Sequence, residues 1–212
     1  MLATTAIVWP TSLSVDEYAA AGRAVVVPRQ NCPDCAKPMI FWSWYSRTVR
    51  DSDDRRIWVR RCRCRTCAVS HALLPSFCLL RRLYTAEVIG PTVAAIVAGA
   101  VTKAVAEAAG FPYTTARDWR RRHRERGATL AAGFAALSVE LGAVLPRLAS
   151  VAERASLEAL GCGWAAARAR FGSRVAGLWR FWSLVSGGQA LSTTTHPPWL
   201  SVGGRRLIPP VP

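Results

Sequence analysis

The stretch Cys62-Arg63-Cys64-Arg65-Thr66-Cys67 decides the fold of the first half of this chain, together with Cys32-Pro33-Asp34-Cys35 upstream. Each stretch contains a Cys-x2-Cys pair, a spacing that lets two thiolates from one tight turn reach the same ion at about 2.3 Å. Two such turns make a closed tetrahedral site without an open position for water, so we expect a structural and not a catalytic zinc ion. The expected ligands are Cys32, Cys35, Cys64 and Cys67.

The remaining cysteines and one histidine are expected around this site or in the core. Cys62 lies one residue out of phase with the second pair and is predicted to be a free thiol, whereas Cys78 and Cys162 lie in apolar sequence typical of core residues. His71 either replaces one cysteine as a ligand or lies beside the site. A disulfide framework is disfavoured, because most of the cysteines fall in two tight clusters.

The interval between the two cysteine pairs is β-prone. Residues 39–45 and 57–59 are aromatic or β-branched, and a polar turn at 51–54 separates them. The sequence therefore predicts a zinc ribbon with a long hairpin over residues 30–78, preceded by an N-terminal extension over residues 1–29.

A helix-turn-helix is predicted directly after the ribbon, over residues 79–126. Ala106 is small where two helices must approach closely, and Gly110 stands at the turn, where a positive φ is often required. Ala116 and Trp119 are three residues apart, so they would pack the second helix onto the first.

The second helix of this motif carries the candidate DNA-binding residues. Polar side chains opposite its apolar face occupy the positions that a recognition helix turns toward base edges, and the arginines that follow would meet phosphates. A solvated helix end is the alternative for this arginine run. The predicted contacts to double-stranded DNA are made by Tyr113, Thr114, Arg117, Asp118, Arg120, Arg121, Arg122, Arg124 and Arg126.

The net charge favours a polyanionic partner. The chain has 28 Lys+Arg against 13 Asp+Glu, a net +15, which suits nucleic acid or an acidic membrane face. Nearly all of these cations are arginines, which coding bias explains as readily as phosphate recognition does. A membrane span is disfavoured because the longest apolar run, residues 88–101, is shorter than the roughly 20 residues that a span needs. Without the basic region of a signal peptide, the chain is expected to be cytoplasmic.

Residues 105–122 resemble the terminal DNA-binding segment of many bacterial transposases and mobile-element resolvases, with the layout Val-Ala-x3-Gly-x8-Trp-x-Arg-Arg. The cysteine ribbon before it resembles one that insertion-sequence transposases place ahead of such a motif. With Leu73-Leu74-Pro75 and Arg81-Arg82-x-Tyr84, residues 30–126 look like a family of uncharacterised bacterial zinc-ribbon/helix-turn-helix proteins. The resemblance implies a mobile-element setting, as a transposase-related accessory protein or transcriptional regulator. Ala116 departs from the β-branched residue usual at its position.

The sequence predicts no enzyme. A transposase nuclease needs three carboxylates that hold two divalent ions, but Asp118 is the last aspartate of the chain. His71, His123 and His196 have no evident Ser or Cys partner, and His123 in the arginine run suits a phosphate contact or a solvated position.

The C-terminal half is expected to be a helical segment over residues 127–186 with a disordered tail over residues 187–212. Apolar spacing predicts three helices, over residues 130–148, 149–160 and 164–182. These helices form either a bundle packed on itself or, through residues 130–182, a surface for a homodimer or a mobile-element protein partner.

The expected fold class is therefore mainly α with a small β zinc ribbon, followed by the helix-turn-helix and the C-terminal helical segment. The expected function is non-enzymatic, sequence-directed binding of double-stranded DNA. One alternative is a zinc-dependent protein-interaction module that docks a larger mobile-element enzyme and contacts nucleic acid only nonspecifically. An RNA-binding ribbon protein is disfavoured, because a recognition helix fits the B-form major groove better than the deep, narrow groove of A-form RNA.

Overall fold

The computed structural model describes residues 5–192 and contains four strands and six α-helices in that part of the chain. The strands are β1 (Thr5–Trp9), β2 (Ile40–Arg50), β3 (Asp54–Arg63) and β4 (Ser70–Pro75). The helices are α1 (Val15–Ala21), α2 (Ala86–Val97), α3 (Thr102–Ala108), α4 (Tyr113–Glu140), α5 (Ala152–Phe171) and α6 (Leu178–Val185).

The strands form one mixed sheet in the order β1-β4-β3-β2. The hairpin of β2 and β3 is antiparallel and in register from Ile40 opposite Arg63 to Arg50 opposite Asp54, with one irregularity between Phe41 and Ser43. Strand β3 continues antiparallel onto β4, and β1 lies parallel to β4 at the far edge. The long hairpin predicted between the cysteine pairs is therefore half of a larger sheet.

The expected fold class, mainly α with a small β ribbon, is wrong. Helices account for 47% of the described residues, and the rest of the fold is organised on the four-stranded mixed sheet. Strand β1 is not predicted from its local sequence, because its partner β4 begins more than sixty residues later in the chain. Strand β4 is buried nearly throughout, so it lacks the alternation of a half-buried strand.

Residues 5–29, predicted as part of an N-terminal extension, contribute to the core of the sheet. Helix α1 begins with a capping box, in which the Ser14 Oγ accepts from the amide of Glu17 at 3.2 Å and the Glu17 carboxylate accepts from the amide of Ser14 at 2.7 Å. Its Tyr18 is fully buried and meets the Phe77 ring edge-on, with 5.3 Å between centroids. The segment is therefore integral to the sheet core and not an appendage.

Helices α2, α3 and α4 occupy the segment in which the helix-turn-helix is predicted, and a tight turn at Gly110 joins α3 to α4. Gly110 has a φ of +73° at the turn, and the amide of Phe111 donates to the carbonyl of Ala106 at 3.1 Å. Ala106 and Ala116 are fully buried, and Trp119 is nearly so. These small and aromatic side chains let α3 and the start of α4 pack closely.

A cluster of three aromatic rings joins the sheet to the helix-turn-helix. Tyr84, in the segment after β4, lies 5.6 Å from the Phe111 ring and 5.1 Å from the Trp119 ring. Arg50, at the tip of the hairpin, donates to the Tyr84 hydroxyl at 3.3 Å, and its amide donates to the carbonyl of Leu83 at 2.9 Å. The hairpin tip is thus anchored at the start of the helical core.

The predicted boundary at residue 126 and the predicted helix limits in the C-terminal half are wrong. Helix α4 runs without a break through Gly127, giving a rod about 42 Å long. A Cβ at Gly127 would lie 3.0 Å from backbone atoms of Ala152 and Glu153, so this glycine permits the close crossing of α4 and α5. Likewise, α5 continues through Gly161, where a helix end was expected.

The apolar residues of the C-terminal half pack mainly within the chain. Leu130, Phe134 and Leu137 of α4 are buried in the helical core, together with Leu160 of α5 and Trp182 of α6. This agrees with the self-packed bundle among the two alternatives. A docking surface in this region would have to use the apolar side chains that stay exposed, which include Val139, Val144 and Val151.

The first residues of the predicted disordered tail are packed. Ala190 and Leu191 are buried, and the carbonyls of Leu191 and Ser192 accept from Arg82 at 2.9 Å and Arg126 at 2.7 Å. The tail prediction is therefore wrong for residues 187–192, because these contacts fix them. Residues 193–212 of the predicted tail lie outside the described residues.

Candidate metal centre and nucleic-acid interface

Four cysteine thiols meet at one end of the β2–β3 hairpin. The Sγ atoms of Cys32 and Cys67 are 3.4 Å apart, those of Cys35 and Cys64 are 3.4 Å apart, and those of Cys35 and Cys67 are 3.9 Å apart. All four Sγ atoms lie within 4.8 Å of one another. The predicted four-cysteine cluster is therefore present and could hold a metal ion.

Two similar turns present these thiols. The amide of Cys32 donates to the carbonyl of Lys37 at 2.8 Å, and the amide of Cys64 donates to the carbonyl of Val69 at 2.9 Å. The residue after each Cys-x2-Cys pair, Ala36 or Ala68, has a left-handed φ of 58°. This repeated conformation turns both pairs toward the same point.

The chemistry of the cluster fits a thiophilic metal ion. Tetrahedral Zn–S bonds of about 2.3 Å place sulfur atoms about 3.8 Å apart, close to the spacing of these thiols. Hydrogen bonds from backbone amides, first that of Cys67, lower the pKa of the Cys64 thiol to about 6, whereas contacts among the thiols raise the pKa of Cys35 and Cys67, so Cys64 is the first of these three thiols to ionise. Four thiolates would fill the coordination sphere of a tetrahedral ion.

His71 and Cys62 lie beside the cluster. His71 is fully buried, with its Nε2 4.0 Å from the Cys32 Sγ, and burial lowers its pKa. Cys62 lies outside the cluster, with its Sγ 3.7 Å from the Met39 Sδ, and burial raises the pKa of this thiol to about 11. Of the other two cysteines, Cys78 is buried and Cys162 half-buried.

The N-terminal half of α4 presents a cationic groove on the surface of the helix-turn-helix. Thr102 of α3 lines it beside residues of α4, and its volume is about 340 Å³. Arg117 lies over the ring of Tyr113, which is 44% exposed, at 5.7 Å from the ring centroid. Six of the predicted contact residues share this exposed face: Tyr113, Thr114, Arg117, Arg120, Arg121 and Arg124.

The other three predicted contact residues are engaged within the chain. Asp118 accepts from Arg121 at 2.7 Å and from Arg122 at 2.6 Å, and these hydrogen bonds outweigh its desolvation and lower the pKa of its carboxyl. Arg122 is half-buried in this pair. Arg126 is also half-buried and donates to the carbonyl of Ser192. Arg122 and Arg126 therefore support the arginine face from behind, whereas Asp118 also lines the groove, with its carboxylate held by two arginines.

His123 is buried between α4 and α5, contrary to the solvated or phosphate-contacting position expected. Its Nε2 lies 3.2 Å from the carbonyl oxygen of Glu153 and 3.1 Å from the Ser156 Oγ. Burial lowers the pKa of this imidazole, so it is neutral near pH 7. Ser156 is fully buried as well, so His123 does have a serine partner, contrary to the expectation, and the pair lies in the packing of α4 on α5.

One arginine of this surface was absent from the predicted set. Arg81 is exposed and lines a second groove that reaches Thr114 and Thr115 at the start of α4. Its φ of 57° is left-handed, and across residues 5–192 its guanidinium makes no hydrogen bond or ion pair. The Arg81-Arg82 pair in the sequence was the available signal, but only the fold places Arg81 beside α4.

Among residues 5–192, no helix is long and apolar enough to cross a membrane.

Comparison with known protein families gives a match for part of the chain. A family described as a domain of unknown function (DUF6431) matches residues 32–119, from the first cysteine of the cluster to Trp119 of α4. This span is less than half of the chain, and it includes both cysteine pairs, helices α2 and α3, and the start of α4. No curated protein and no solved structure matches the chain.

Proposed function

We propose that this protein binds double-stranded DNA in a sequence-directed manner, without enzymatic activity, and that its cysteine cluster holds a structural zinc ion. The observation that carries the proposal is the exposed arginine face on the N-terminal half of α4, at the position of a recognition helix in a three-helix unit. The resemblance to insertion-sequence transposases supports a role as an accessory protein or transcriptional regulator of a mobile element, in the cytoplasm.

The residues of the α4 face divide by the contacts they would make. Arg117 is presented one turn into the helix, where side chains reach base edges, and an arginine can bind guanine through two hydrogen bonds. Arg120 and Arg124 lie farther along the helix and would bind phosphates, which give affinity but no sequence preference. Tyr113 and Thr114 flank the base-reading position.

Zinc would act by holding the hairpin, not by chemistry at DNA. Cys32, Cys35, Cys64 and Cys67 would bind the ion, which supplies a four-way cross-link. The hairpin tip contacts the segment before α2 through Arg50 and Tyr84. The ion would therefore support the helix-turn-helix through the sheet.

Selection from a random duplex library with the purified full chain tests the proposal. We expect an enriched motif, and we expect Arg117→Ala to relax the preference at one or two positions at a cost of about 1–3 kcal/mol. Arg124→Ala should weaken all duplexes alike and reduce the log–log salt slope by about one unit. Arg170→Ala is the matched control, because this exposed arginine of α5 also lies over an aromatic ring, that of Phe171 at 5.4 Å.

Other outcomes point to other functions. Retention of duplexes without an enriched motif would favour a protein-interaction module that contacts nucleic acid only nonspecifically. A preference for RNA over duplex DNA would favour an RNA-binding protein. Equal effects of Arg117→Ala and Arg170→Ala on duplex binding would show that α4 does not belong to the DNA interface.

A further inference from the structure

The end of the β2–β3 hairpin nearest the cysteine cluster carries a second cationic surface, which lies on the strands and not on α4. We call Ile40, Trp42, Arg61 and Arg63 the hairpin patch. Arg63 lies opposite Ile40 in the register, and Arg61 and Arg63 are two residues apart, so they share one face of β3. The Arg61 guanidinium lies 5.1 Å from the centroid of the Trp42 ring.

A bulge sets Trp42 apart from the other aromatic residues of β2. The register shifts between Phe41 and Ser43, which makes Trp42 the extra residue of the strand and re-aims its side chain. Phe41 and Trp44 are half-buried, and Arg60 covers both rings at 4.5 Å. Trp42, in contrast, is 50% exposed.

The strand segments that carry the patch have charge of one sign. Residues 40–50 and 55–65 contain no acidic side chain, and the second range contains six arginines. Within the part of the chain that the structure describes, neither Arg61 nor Arg63 forms an ion pair. An exposed indole among unpaired cations is complementary to a ligand that offers flat rings and negative charge together.

We infer that the hairpin patch binds an unpaired DNA strand. A base stacks on Trp42, while Arg61 and Arg63 pair with the phosphates on either side. Stacking platforms flanked by cations are the general means by which proteins hold single strands, and a base buried in a duplex cannot reach such a ring. This activity does not rest on duplex binding by α4.

Fluorescence anisotropy with a labelled thymidine strand of about ten nucleotides tests the inference, with an abasic strand of the same length as comparison. We expect Trp42→Ala to weaken binding of the thymidine strand about tenfold or more, Trp42→Phe to retain most of it, and Arg61→Ala to weaken both strands. Arg168→Ala is the matched control, since Arg168 of α5 lies 5.3 Å from the ring centroid of Trp164 and its loss removes the same charge.

Two measurements separate this inference from folding defects and from the role of α4. Metal content and circular dichroism should match the unsubstituted protein for every variant, and Trp42→Ala should leave duplex affinity unchanged. Equal affinity for the abasic and thymidine strands would overturn stacking. Unchanged thymidine-strand affinity in Trp42→Ala, or markedly tighter binding of an RNA strand of the same length, would overturn the assignment to unpaired DNA.

Discussion

Three side chains sit on left-handed backbone that glycine adopts more readily. Ala36 and Ala68 close the two cysteine turns, and Arg81 lies between β4 and α2, all with φ near 58°. Such a conformation costs an L-residue roughly 1–2 kcal/mol. Metal binding can offset that cost at the cysteine turns. Arg81 lies outside the cysteine turns, so metal binding does not offset the cost of its left-handed φ. Its side chain lies beside the start of α4, and strained residues cluster at functional sites.

Replacing Arg81 should therefore separate stability from DNA binding. We expect Arg81→Gly to raise the free energy of unfolding by up to about 1 kcal/mol, because glycine relieves the strained φ, and to weaken duplex binding. Arg81→Ala keeps the strain and should weaken binding without the gain in stability. Urea unfolding and duplex anisotropy measure the two effects. Unchanged duplex affinity in both variants would show that the left-handed conformation of Arg81 does not serve DNA binding.

The cysteines offer a comparison between a ligand and its neighbour. We expect Cys64→Ser to lose the metal and unfold the ribbon, because structural zinc contributes an apparent 10–16 kcal/mol or so of binding free energy. Cys62→Ser should keep about one metal ion per chain, since this thiol contacts Met39 and not the cluster. Elemental analysis of the purified variants decides. Loss of metal from Cys62→Ser with retention in Cys64→Ser would reverse the ligand assignment.

At the scale of elements, the positions of the glycines relative to helix ends were the hardest feature to predict from the sequence. Gly110 was assigned correctly to a turn, because the helices on either side of it are visible locally. Gly127 and Gly161 were read as boundaries, yet both lie inside helices. Gly127 serves a close helix crossing, and such a crossing depends on residues 25 positions away, which no local pattern reveals.

Two glycines within helices provide a matched pair of substitutions. A Cβ at Gly90 of α2 would lie 2.1 Å from the Trp179 ring, whereas a Cβ at Gly161 of α5 would meet nothing within 4 Å. We expect Gly90→Ala to destabilise the fold by about 1–3 kcal/mol through the clash of α2 with α6. Gly161→Ala should stabilise it by about 0.5–1 kcal/mol through helix propensity. The midpoints of urea unfolding measure both, and equal shifts of one sign would contradict this packing.

At the scale of the whole molecule, the sheet core and the helical core are joined at several points. One is the aromatic cluster around Tyr84, and another is α6, where Ser183 donates to the carbonyl of Cys78 at 2.6 Å. The cysteine site could be predicted because its information lies in two short spacings. The β2–β3 hairpin could be predicted as well, but strands β1 and β4 could not, because β1 pairs with a strand more than sixty residues away and β4 is buried nearly throughout.

The aromatic cluster should transmit loss of metal to the helices. In the unsubstituted protein we expect a chelator to lower the melting temperature of the helical circular-dichroism signal by about 2–4 °C, as loss of about 1 kcal/mol of aromatic contact would. Tyr84→Phe should show the same chelator-induced shift as the unsubstituted protein, because the phenylalanine ring keeps the contacts with Phe111 and Trp119. In Tyr84→Ala the chelator should shift the helical transition less, because the aromatic contacts are lost and the junction at α6 remains. A shift equal to that of the unsubstituted protein would show that the aromatic cluster does not carry the coupling.

The parallel pairing of β1 with β4 has a consequence for how the protein is made. At about 5–20 residues per second, a ribosome needs several seconds to reach His71 after Thr5, the residue that pairs with it. Arg180 then donates to the carbonyls of Thr11 at 3.0 Å and Leu13 at 2.8 Å, so the last described helix secures a segment that lies 167–169 residues earlier in the chain. The nascent chain therefore exposes the apolar strand β1 without its parallel partner until β4 has been synthesised.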